Sequence, residues 1–515
     1  MKPTHSFRFL ASSIVALSIA HTASGIGYDA NTTLNSAVTS TDGVSVGVAN
    51  SNVTLTVDNG GSLGITSGSI SAGVNNEALV VNGTGSLTMV ANSNKNIHFD
   101  TGSGQSITVQ GGGTMALVPA SGVTNSGTLY LGSTSLVAPS TFTVTGSGST
   151  FTNGSASWGA NIWLSGSNAQ IVVSNGGVFT SPKLGIYIAG RFGGNQLNSL
   201  TIDGAGSQLT TNAAISLNPS QGAGYGASYS TLTISNGGVA NSGSGNISNQ
   251  AGVSNMTATV TGPGSSWNLH GGNLQVGNHV DPTASDNAMN VSNGGSLSNV
   301  GSVLMNGSNN QFNLGSGGAD AISTATAGTV TLTSSSAQLN INNGRLIANA
   351  DGALVSGAGT VNLLGGANIS TAFSGSSIST VITGTGSLTK EGTGTLDLTA
   401  LNTYTGDTTV TATGGVLKME NATLGDNSHV NLFTGGKLNL NTGGATDTIG
   451  ALYLDGVLQT LGGTWGSSAS GADNQNDTFF SGTGKLLTSA LVPEPTVALL
   501  SGLGLLGLLR RRRSA

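Results

Sequence analysis

Three short stretches hold residues whose types and spacing could do chemistry. In "HVDPTASD", Asp281 and Asp286 flank a proline turn beside His279. Two carboxylates and an imidazole could hold a metal or work as an acid–base pair. In "HGGNLQVGNH", His270 and His279 stand nine residues apart around a predicted strand and lack a nearby acid to orient them, so their rings need not converge. In "DNQND", Asp473 and Asp477 could start a loose calcium loop, but the turn glycine and terminal glutamate of such a loop are missing. In each case the sequence favours a polar loop joining strands.

Four tryptophans, Trp158, Trp163, Trp267 and Trp465, could stack on sugars. Trp267 follows a Gly-x-Gly-Ser box at the position where Phe151 and Leu209 fall in other copies, which marks it as core. A polysaccharide lyase would need clustered acids and a nearby cation, and a glycoside hydrolase a carboxylate pair at fixed separation. No two acids stand two residues apart on one strand face. We therefore expect no catalytic residue, no metal site and no cofactor.

The elements that would position such residues are set by an unusual composition. Of 515 residues, 83 are glycine and only 7% are charged, while 37% are hydrophobic. The apolar residues lie in short alternating patches, which argues for a folded chain against a Gly/Ser-rich disordered one. There is no cysteine, hence no disulfide and no thiolate site. Without its two ends the chain keeps eight cations against nineteen acids, a net charge of about −11. That disfavours nucleic acid, whose binding needs clustered Lys and Arg.

Two motifs recur in step. A Gly-x-Gly-Ser box starts at Gly83, Gly146, Gly204 and Gly262. A second box, two alternating apolar positions before Asn-Gly-Gly, starts at Leu55, Ile171, Leu232 and Met289, with a degenerate copy at Ile107. Alternation at period two predicts half-buried strands, and Asn-Gly supplies residues that tolerate positive φ at corners. No sustained helical period appears. Short strands, glycine–asparagine corners and a repeat near 58 residues predict an all-β solenoid of stacked coils, which buries apolar faces only by piling coil on coil. The expected coil is ~20–25 residues and the expected rod roughly 90–110 Å, at one coil per ~4.8 Å. A β-propeller is the competing fold, but blade signatures are missing and aromatics are 4%.

The ends read as addresses. Residues 1–25 carry Lys2 and Arg8, an apolar run from Phe9 to Ala20 and then small residues, the layout of a secretory signal peptide. Residues 491–515 carry Pro493, Glu494 and Pro495, an uncharged run from Thr496 to Leu509, and Arg510, Arg511, Arg512 and Arg513. Fourteen helical residues extend ~21 Å, a marginal membrane span whose arginines would stay cytoplasmic. This tail closely resembles the PEP-CTERM sorting signal of Gram-negative bacteria. The resemblance implies recognition by an exosortase, a membrane peptidase. It implies transient anchoring in the inner membrane by a short hydrophobic helix, and removal of the tail en route to the envelope, cell surface or extracellular matrix.

Residues 381–490 carry a further pattern. "GTGSLTKEGTGTL" from Gly384 to Leu396 and "NTYTGDT" from Asn402 to Thr408 resemble the autotransporter-associated β-strand repeat. The segment at 461–486 is similar to the closing segment of such proteins. That resemblance implies a right-handed parallel β-helix and a secreted, passenger-like stalk, although the terminal β-barrel of true autotransporters is missing. The expected organisation is then a signal peptide (1–25), a β-helix with ~58-residue internal repeats (26–380), the autotransporter-type repeat and closing segment (381–490) and the sorting signal (491–515). The expected function is a non-catalytic structural or adhesive protein associated with exopolysaccharide or biofilm matrix. The alternative is a degenerate carbohydrate-active β-helix, a lyase, hydrolase or glycan binder.

Overall fold

The computed structural model describes residues 7–9, 21–23 and 25–489, apart from 74, 92–95, 120–127, 133–137, 155–161, 165–167, 184, 189–196, 218–228, 249–251, 278–282 and 319–320. Among the described residues there is no helix. The chain winds as a parallel β-solenoid with three strands to a coil, as its alternating sequence predicts. Residues 10–20 of the apolar run expected in a signal peptide lie outside the described residues, as does the expected C-terminal hydrophobic helix. At the head of the stack, Phe7–Phe9 and His21–Ala23 pair with Ile26–Tyr28 and Ala37–Ser40.

Three faces line the coil. Face I is an unbroken sheet of fourteen strands, from Thr32–Leu34 and Thr54–Val57 to Val381–Gly384. Face II runs from Ala37–Ser40 through Ser62–Ile65 to Ala451–Leu454. Face III runs from Ile26–Tyr28 through Gly43–Val46 to Phe480–Gly482. Two ten-residue strands, Ser296–Met305 and Ser323–Leu332, cross from face II to face III without a break, and there the register shifts between Leu297 and Val300. Face I has no such shift.

Alternation does the packing. On face I, Leu55, Leu79, Ile107, Phe142, Ile171 and Leu200 are successive partners in one inward column, and none exposes any surface. Each inward residue gains its full burial, roughly 1.5–3 kcal/mol for a Leu or Ile, only because a coil lies above and below it. One continuous core reaches from Ile26 to Leu486, and the pairings pass residue 381 without interruption.

The expected coil length needs correction. Ile171 pairs with Leu200, 29 positions on, and Leu200 with Leu232, 32 on. A 58-residue repeat is therefore two long coils. Fourteen strands at ~4.8 Å make face I ~62 Å long. Longer coils mean fewer of them, and a rod shorter than the sequence suggests. Coils are shorter toward both ends: 24 positions separate Leu55 from Leu79, and 21 separate Val361 from Ile382.

The two boxes prove to be one corner in alternate coils, joining face I to face II. In the Asn-Gly-Gly form, Asn175 and Gly176 take φ 51° and 84°, and Asn236 and Gly237 take 52° and 86°. The second glycine is required by close approach, since a Cβ on Gly238 would lie 2.4 Å from the Ile202 carbonyl of the preceding coil. The two forms interlock. Asn236 Nδ2 reaches back to Asp203 Oδ1 (2.7 Å), while Gly237 N–H donates forward to Ser265 Oγ (3.0 Å). Asn175 and Gly176 repeat the pattern with Thr145 Oγ1 and Ser207 Oγ. The serines that end the boxes at Gly146, Gly204 and Gly262, namely Ser149, Ser207 and Ser265, each accept a glycine N–H from the preceding coil.

Ser207 Oγ also donates to the Asp203 carbonyl (2.6 Å). Ser207→Ala should cost about 1 kcal/mol, because it strands an N–H and a C=O in a half-buried corner. Denaturant melting and faster amide exchange at Gly176 would register it. An unchanged melt would refute the interlock.

The C-terminal end is closed. Lys485–Thr488 adds one parallel strand to Thr446–Ile449, and Thr464–Gly466 then lies antiparallel against it. Capping of this kind hides an open strand edge that would otherwise pair with another chain.

Candidate functional site

The residues that suggested chemistry are now placed. Pro493, Glu494, Pro495 and Arg510 to Arg513 lie outside the described residues, as do Trp158, His279 and Asp281. The described acids are engaged as turn fasteners. Asp286, at φ 55°, accepts from Ser285 Oγ (2.8 Å) and Asn309 Nδ2 (3.2 Å). Asp473 accepts from the Thr464 hydroxyl (2.6 Å) and N–H (3.1 Å), and those bonds hold its carboxyl below the usual range. Asp477 accepts from Ser468 N–H (2.8 Å) and is lowered for the same reason. The two aspartates tie separate loops of the closing segment. His270, at φ 50°, turns the chain after Ser266–Asn268 with its N–H on Asn268 Oδ1 (2.9 Å). Among the described residues no three of His, Cys, Asp and Glu form a group able to hold a metal.

The described tryptophans are spent on packing. Trp267 is fully buried, like Phe151 and Leu209 at the same position. Trp465, 9% exposed, lies in the closing segment. Trp163 stacks on Tyr187, with ring centroids 4.7 Å apart and planes at 20°. That pair belongs to an outward column on face III, His98–Tyr130–Trp163–Tyr187, one ring per coil. His98 and Tyr130 stack at 4.9 Å. Each stacked pair spends the ring faces it shares on the other ring, so the column stiffens the rod.

The autotransporter-like motif is also explained by the coil. Alternation puts Lys390 inward in line with Leu388, fully buried. Its ammonium donates to three carbonyls, of Glu391 (2.7 Å), Gly392 (2.9 Å) and Gly414 (2.7 Å). Burial pushes it down to about 8, with Glu391 pulling it back. Asn402 Oδ1 accepts Ile382 N–H (2.9 Å), continuing face I where its strands end. Buried Tyr404 shares a hydrogen bond with Thr408 (2.8 Å), and burial raises it to about 12. A Cβ on Gly406 would lie 2.1 Å from the Gly386 carbonyl. The motif therefore builds a bend and a brace.

Sequence reasoning missed the contacts between coils. Lys418 bridges Asp397 (2.9 Å) and Glu420, and these bonds raise the lysine and lower Glu420. Arg345 pairs with Glu391 at 2.7 Å. Asp397 and Lys418 lie 21 residues apart, the local coil length, so the right spacing would have found them. An amide ladder climbs face I. Asn313 Nδ2 donates to Asn290 Oδ1 (2.8 Å), Asn340 to Asn313 (2.7 Å) and Asn362 to Asn340 (2.7 Å), and Thr383 Oγ1 donates to Asn362 Oδ1 (2.7 Å).

No protein-family model and no curated protein matches the chain. Among solved structures, the crystal structure of a TibC-catalysed, hyper-glycosylated fragment of TibA (55–350) is similar. It shares 16% identity over 84% of this chain and 98% of that chain, with a TM-score of 0.27. The fold assignment stands on the strand pairings themselves.

Proposed function

We propose that this chain is a non-catalytic structural or adhesive rod of a Gram-negative cell envelope, cell surface or extracellular matrix. In this proposal it is exported by residues 1–25 and processed by an exosortase-type peptidase at the Pro493-Glu494-Pro495 tail, with Arg510 to Arg513 orienting it transiently in the inner membrane. One observation supports the rod most directly: the acids in the described candidate sites hold turns, while a single core runs the length of the stack. Such a body presents long flat faces and spends its few charges on stiffness, which suits binding to surface glycans or exopolysaccharide better than turnover of them.

Mass spectrometry of the mature C-terminus tests the route. In cells that hold the processing peptidase, the chain should end near Pro493. In cells that lack it, the full tail should remain with the membrane fraction. An intact tail in both would sink the sorting assignment. Incubation with a glycan panel tests the rest: turnover abolished by a single carboxylate substitution would make this an enzyme.

A further inference from the structure

Face I differs from its neighbours in a way that points to a ligand. Face II carries the Arg345–Glu391 pair, and face III the aromatic column and Lys418. In the fourteen strands of face I the only charged side chain is Asp203, already held by Ser235 Oγ (2.6 Å) and Asn236 Nδ2 (2.7 Å). Its central outward column is hydroxyl- and amide-bearing over long runs. Thr201, Thr233 and Thr259 are successive partners, and Asn290 and Asn313 follow. All five are half-buried. The pairing keeps one register throughout, so these groups repeat at ~4.8 Å along the rod and ~7 Å across it, two residues of strand.

The chemistry of this lattice selects its partner. A protein interface needs an apolar, aromatic-rich centre, and face I turns no aromatic side chain outward. A nucleic acid or an acidic polymer needs clustered cations, and the face has none. What it offers is a regular row of groups that both donate and accept. In the ladder, Asn340 and Asn362 each spend one N–H and one acceptor site on their neighbours, which leaves a second donor and a second lone pair for water or ligand. Neutral hydroxyl pairs are the matching complement, and a β-linked glycan advances by nearly one coil per sugar.

We propose that face I binds an uncharged, linear polysaccharide laid along the solenoid axis, centred on the column from Thr201 to Asn362. This deepens the adhesive reading above and rests on it.

Co-sedimentation of the full-length protein tests it, with microcrystalline cellulose and curdlan as neutral probes and alginate as the anionic one. Retention on a neutral glycan should exceed retention on alginate and should be insensitive to salt. Thr201→Lys, Thr233→Lys and Asn313→Lys together should weaken retention about tenfold, while Ser377→Lys with Asn439→Lys on face III should leave it unchanged. Should the face I lysines lower the melting temperature, Thr201→Val with Thr233→Val removes the hydroxyls at constant shape and should weaken retention too. No preference for neutral glycan, a salt-dependent signal or equal loss in the face III control would overturn the assignment. So would inhibition of ice recrystallisation without glycan retention, which would assign the lattice to ordered water. Protease accessibility on intact cells separates the two claims. A surface-exposed protein that ignores glycans sinks only this inference, whereas a protein confined to the cytoplasm sinks the adhesive reading.

Discussion

Trp267→Ala is expected to cost about 3–5 kcal/mol, the range for emptying a large aromatic site in a packed core. Trp267 is the largest fully buried side chain among the described residues. It lies between Ala240 and Leu297 in one inward column of face II. Its indole N–H donates to Ser242 Oγ at 2.9 Å. Two of its neighbours, Ala240 and Gly245, are small and make room for the ring: a Cβ on Gly245 would lie 2.7 Å from it. Gly245→Ala should therefore also destabilise, by about 1–3 kcal/mol, through overpacking. In a stack each coil touches only its neighbours, so the damage should stay local. Hydrogen exchange should quicken in the coils holding Ala240, Trp267 and Leu297, while the amides of Leu396 and Leu417 keep their protection. Denaturation in one step with no gradient along the rod, or a loss under ~1 kcal/mol, would contradict the column packing.

Trp267 also shows what a sequence of this kind reveals. Its inward placement is legible because alternation at period two and a preceding glycine box recur beside Phe151 and Leu209. Corners are legible for the same reason: Asn-Gly-Gly and Gly-x-Gly-Ser announce positive φ. The identity of those two corners was hidden, because they differ in residue type and join only through hydrogen bonds from one coil to the next. The outward columns were hidden more deeply. His98, Tyr130, Trp163 and Tyr187 are 32, 33 and 24 positions apart. Loops of unequal length intervene, so no fixed period exposes a column that is regular only in space. The Asn290–Asn313–Asn340–Asn362 ladder escaped in the same way, with steps of 23, 27 and 22. Alternation alone does predict one oddity: "LTKE" and "TDTI" put Lys390 and Asp447 on the core side of their strands.

Those two buried charges should make neutral pH the least favourable range for the C-terminal coils. Asp447 accepts Leu424 N–H at 2.9 Å. Burial nevertheless pushes its carboxyl up to about 6, with the nearby Asp426 adding to the rise and the N–H groups of Leu424 and Thr423 opposing it. Between the ordinary aspartate value and 6 the native state holds the proton more tightly than the unfolded chain. Its contribution is therefore complete at low pH and lost as pH rises through 6, a loss of about 2–3 kcal/mol. Lys390 has the opposite sign. Lowered to about 8 by burial, it adds stability above its ordinary range and loses it as pH falls through 8, by up to about 3 kcal/mol. Differences between variant and wild type isolate each group from other titrations. Asp447→Asn keeps an oxygen for the Leu424 N–H and should match wild type at pH 3.5, then gain about 2–3 kcal/mol by pH 7. Lys390→Met loses three hydrogen bonds at every pH, so only its slope is informative: relative to wild type it should worsen between pH 8 and pH 10.5. Melting profiles across that range decide the matter, and a flat difference for either variant would mean that water reaches the charge and that the last coils are looser than their packing implies. The two groups belong to coils that lead into the closing segment, so a rod that tightens below pH 6 and above pH 8 would do so from its C-terminal end.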